Sequence, residues 1–98
     1  LTLLNDPVFF ECAQTLAKQL CEQHGEDIAA AVDDLFQRCL GRRPGSQERS
    51  YLTAAFHDVQ RLEQKARAKD DSSEQIKLAA MTAVARIVMN LDEFITRD

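Results

Sequence analysis

Apolar residues recur at three- and four-residue spacing through most of the chain, and four segments carry that helical period. The longest, EQIKLAAMTAVARIVMNLDEF from Glu74 to Phe94, brings Ile76, Ala80, Val84, Ile87, Val88, Leu91 and Ile95 onto one surface. It reads as the most buried helix, expected over about 74–95. A first helix over about 7–24 turns Phe9, Cys12, Ala13, Leu16 and Leu20 inward, with Glu11, Lys18, Gln19 and Glu22 toward water. A second over about 27–40 has the stripe Ile28, Val32, Leu35, Phe36 and Cys39. A third over about 47–68 has Leu52, Ala55, Phe56, Val59 and Leu62, with Tyr51 on its flank.

The punctuation agrees with this division. Asp6 can cap the first helix, and Pro7 suits the first helical position because its missing N–H leaves no bond unmade there. Gly25 and Gly41 stand where a left-handed residue closes a helix. Asp27 or Glu26 opens the second helix, Ser46 is placed to cap the third after the loop Arg42-Arg43-Pro44-Gly45, and Ser72 with Gln75 has capping-box spacing for the fourth. Short links make antiparallel neighbours, so the expected fold is all-α: a four-helix bundle or a pair of packed antiparallel helical hairpins.

Composition narrows the function classes. The chain of 98 residues has 45% hydrophobic and 29% charged residues, few turn formers and a formal charge of −4. An acidic balance disfavours nucleic acid or an anionic membrane as the main partner, since both require a basic face. Lys77, Arg86 and Asn90 interrupt the best apolar run, so no membrane span is expected. The start Leu1-Thr2-Leu3-Leu4 has no initiator Met and is apolar enough to need a cover. Residues 1–98 therefore read as a single helical domain, a stretch from the interior or end of a larger protein.

Candidate chemistry is sparse. Cys12 and Cys21 lie too far apart on one helix to bond. A hairpin about Gly25 would bring Cys12 and Cys39 to one level on facing apolar surfaces, so a disulfide there is geometrically open. The alternative is two small buried thiols. Cys21 and His24 share a helical face at i,i+3, but no second pair completes a metal site, and the haem-attachment signature lacks its first Cys. His57 falls opposite the apolar stripe, solvated near Asp58 or Arg61. Arg38, Arg42, Arg43 and Arg49 gather around the second loop; either Arg38 complements the end of the second helix and the others are solvated, or one clamps a carboxylate from elsewhere, supplied by Asp92 or Glu93.

Three stretches, LTLLNDPVFFECAQTLA, FQRCLGRRPGSQE and TAVARIVMNLDEFITRD, resemble the C-terminal portion of the planctomycete cell-surface-type domain of unknown function that ends large multidomain proteins. The most specific parts are Leu4-Asn5-Asp6-Pro7, Leu40-Gly41-Arg42 with Pro44 and Glu48, and Asn90-Leu91-Asp92-Glu93-Phe94. Arg43 stands where that family more often has an uncharged residue, which leaves open which arginine makes a carboxylate contact. The resemblance implies an extracytoplasmic or cell-surface parent that commonly carries a c-type cytochrome module, so haem would lie upstream and no cofactor is expected in this stretch.

The expected role is a non-catalytic structural or interaction module whose partner is the upstream region of its own chain or another protein. The alternative is the wall of a redox or hydrolytic site whose reactive residues lie upstream. The three specific stretches are expected to meet in space, forming a cluster of Asn5, Asp6, Arg42, Asn90, Asp92 and Glu93.

Overall fold

A computed structural model describes residues 7–67 and 73–91. Within them lie four helices: α1 (Pro7–His24), α2 (Ile28–Leu40), α3 (Ser46–Ala66) and α4 (Ser73–Met89). They pack as a small all-α bundle, as the periodicity predicts, and the described residues contain no strand. None of these helices is long and apolar enough to cross a membrane.

α4 organises the bundle. It makes the two most extensive helix contacts, to α1 and to α3, and a lighter one to α2. A helix that is apolar on most of its circumference has to be covered on several sides. Ile76, Ala80, Met81, Val84, Ala85, Val88 and Met89 are accordingly buried, and the buried hydroxyl of Thr82 donates to the Leu78 carbonyl at 2.7 Å. α1 runs antiparallel to α4: Glu26, just past the end of α1, lies 3.6 Å from Lys77, while Phe10 near its start carries the Arg86 guanidinium over its ring. Small residues on both helices, Ala13 and Ala17 on α1 and Ala80 and Ala85 on α4, are fully buried, which permits a short interaxial distance.

Two of the positions expected to face inward, Cys12 and Leu62, are exposed. Cys12 is exposed, because the buried line of α1 is Phe9, Ala13, Ala17 and Leu20 and Cys12 lies roughly 100° around the helix from Ala13. Leu62 is exposed for the same kind of reason: the line Leu52, Phe56, Val59 continues toward Glu63, and Leu62 is rotated roughly 80° from Leu52. Leu16 is half-buried at the margin of the core.

The helix ends follow local chemistry. Asp27 caps α2, its Oδ1 accepting from the Ala30 N–H at 3.1 Å. Gly41 closes α2 with φ +73°, its N–H donating to the Gln37 carbonyl at 3.0 Å, and Gly25 follows α1 with φ +58°. Both conformations favour glycine because a Cβ would crowd the following carbonyl. α3 begins at Ser46 itself, so Gly45, not Ser46, is the residue that caps it. α4 stops at Met89 rather than running to residue 95; the Asn90 N–H is shared between the Arg86 and Ile87 carbonyls, at 3.0 and 3.2 Å, which tightens the last turn. Ser72 and Ile95 lie outside the described residues.

Candidate functional site

The α2–α3 corner is where the singled-out residues are most fully determined. Gly41 turns the chain out of α2, Pro44 is buried, and Gly45 starts α3. Glu48, one turn into α3, reaches back so that its Oε1 accepts from the Gly45 N–H at 2.7 Å, satisfying an amide that has no partner within the helix. The same carboxylate receives Arg42 through both terminal nitrogens, Nη1 at 2.9 Å and Nη2 at 3.0 Å, the paired geometry that a planar guanidinium forms with a carboxylate. Arg42 also donates to the Arg43 carbonyl at 3.1 Å and lies over the Phe36 ring, 5.2 Å from its centroid. The Arg42 hydrogen bonds, seconded by the Gly45 amide, hold the Glu48 carboxyl at a pKa of about 2.

A second and a third arginine tie neighbouring helices. Arg49 of α3 pairs with Asp33 of α2 through Nε at 2.8 Å and Nη2 at 3.1 Å. Arg38 of α2 donates to Asp34 on its own helix at 2.9 and 3.1 Å, and across to Gln19 at 3.0 Å and Gln23 at 2.5 Å on α1. His24, at the end of α1, completes this clasp with Nε2 2.8 Å from the Asp34 carboxylate. The His24 hydrogen bond, then Arg38, pull the Asp34 carboxyl below its ordinary range. Expecting Arg38 to serve only the end of α2 therefore understates it, because it joins α1 to α2.

Of the expected cluster, Asn5, Asp6, Asp92 and Glu93 lie outside the described residues, so the meeting of the three stretches falls there too. Arg42 sits at the corner, and Asn90 is the half-buried residue at the end of α4. The carboxylate that Arg42 clamps among the described residues is Glu48, six positions on. Its signal was present in the sequence as the Gly45 to Glu48 capping-box interval, hidden by assigning the cap to Ser46.

No disulfide joins the cysteines. Cys12 is exposed, Cys21 half-buried and Cys39 buried. The Cys12–Cys39 pairing, which the sequence leaves open beside two unbonded thiols, is not made: neither cysteine is in a disulfide and Cys12 is exposed. Arg38, beside Cys39, reaches Gln19 and Gln23, which lie about two to three turns along α1 from Cys12. Burial pushes both the Cys21 and the Cys39 thiols up, opposed at Cys21 by Lys77 and at Cys39 by Arg38. A raised thiol holds little thiolate near neutrality and is a poor nucleophile.

Cys21 borders a cleft of about 670 Å³ between the end of α1 and the start of α4, where Lys18, Glu22, Glu26 and Lys77 supply charges of both signs. Among the described residues no group of three His, Cys, Asp or Glu is placed to hold a metal ion. His57 is exposed as expected, its Nδ1 3.3 Å from Gln60 Oε1 and its ring edge-on to Phe56.

What the site does chemically is mutual neutralisation of charge across helix junctions. Glu48 and Asp34 are held ionised, which unfits them as acids near neutral pH. Comparison with known proteins finds a family model described as PSD1, protein of unknown function (DUF1553), which matches residues 1–56. No curated protein and no solved structure matches the chain.

Proposed function

The chain belongs to the family described as protein of unknown function (DUF1553), and from that premise we propose that it is a non-catalytic helical module of a larger exported protein, packed against a neighbouring region of the same parent or against a protein partner. The observation that carries this reading is the use made of its charged side chains. Arg42 with Glu48, Arg49 with Asp33, and Arg38 with Asp34 and His24 fix successive helices to one another, leaving these groups committed to geometry rather than to a substrate. A second feature agrees with it: Val8 and Phe10 are exposed at the start of α1, an apolar edge suited to burial under a neighbouring surface.

Hydrogen exchange of the isolated chain and of the same residues within the parent protein tests the proposal. Slower exchange in the first turns of α1 within the parent is the expected result, and identical exchange throughout would refute the packing role. The exported, cytochrome-linked setting rests on the resemblance in sequence. An absorbance scan of the parent for a Soret band tests it separately, since a missing band removes the haem context and leaves the module reading standing.

A further inference from the structure

We draw no further inference here: the strongest candidate, the groove of about 550 Å³ between α1 and α3 over the Ala79 and Ala83 edge of α4 with Phe10 at its rim, is a small-residue stripe beside one exposed aromatic ring, and nothing in the structure shows what covers it.

Discussion

Replacing Glu48 tests whether the α2–α3 corner is held as its geometry indicates. The carboxylate accepts three hydrogen bonds, from Arg42 at 2.9 and 3.0 Å and from the Gly45 amide at 2.7 Å. Both ion-pair side chains are about 40% exposed, at 39% and 41%, so solvent screens the pair, which contributes up to about 1 kcal/mol. Losing the acceptor for the Gly45 amide adds about 1 kcal/mol, the usual cost of removing a helix cap. Glu48→Ala is therefore expected to destabilise by about 1–2 kcal/mol, lowering Tm by about 5–10 °C in a domain of this size.

The pH dependence supplies the sharper test. Because the folded pKa of about 2 lies below the ordinary 4.5, Glu48's contribution is complete above pH 4.5 and is lost as pH falls toward 2. Glu48→Gln keeps an acceptor oxygen and should remove that share of the acid sensitivity, while Asp34 retains its own in the same direction. Carbon-13 NMR of the Glu48 side-chain carboxyl reads the group directly. A midpoint near 2 is expected, and a midpoint near 4.5 would refute the clamp.

The remaining predictions address the core, the thiols and the folding unit. Val84→Ala, at a fully buried site in α4, should cost about 2–3 kcal/mol in urea unfolding through lost burial and a residual cavity, whereas Ile87→Ala, at a half-buried site, should cost about 1 kcal/mol. Equal effects would contradict the assigned faces. Labelling with a thiol reagent near pH 7, followed by mass spectrometry, should modify exposed Cys12 first and Cys39 last, since Cys39 is both buried and raised in pKa. A chain cut after Phe56 should lose cooperative unfolding by circular dichroism, because the faces of α1 and α3 that pack on α4 would be left in water; a cooperative transition in that piece would contradict the central role given to α4.

The fold was legible where periodicity and punctuation agreed. Gly25 and Gly41 mark boundaries by left-handed backbone geometry that few other residues satisfy, Asp27 marks one by its side-chain cap, and the structure keeps all three. A stripe's centre was readable, and its margins were not. Cys12 and Leu62 are apolar side chains one step around the helix from the buried line, and only the position of the neighbouring helices decides whether such a step meets protein or water. The ion pairs divide in the same way. Asp34 to Arg38 is an i,i+4 pair visible in any helix, while Asp33 to Arg49 and His24 to Asp34 depend on how α2 lies against α3 and α1. A one-residue shift in the assigned cap, from Gly45 to Ser46, was enough to conceal Glu48 as the partner of Arg42.

The matched segment, residues 1–56, contains α1, α2, the corner and the first half of α3, and within it lie all three arginine clasps. Those clasps set the angles between successive helices. They supply little of the stability, since exposed and half-exposed pairs contribute at most about 1 kcal/mol each. Burial has to supply the rest, and the helix that makes the most extensive contacts with its neighbours, α4, lies outside the match. Burial demands only that apolar volume be conserved, which Val, Ile, Leu, Met and Ala meet in many combinations. A bidentate Arg–Glu pair closing on a glycine amide admits far fewer alternatives. The corner is therefore the part of this chain that a sequence pattern can specify, and α4 is the part that makes the corner's geometry persist.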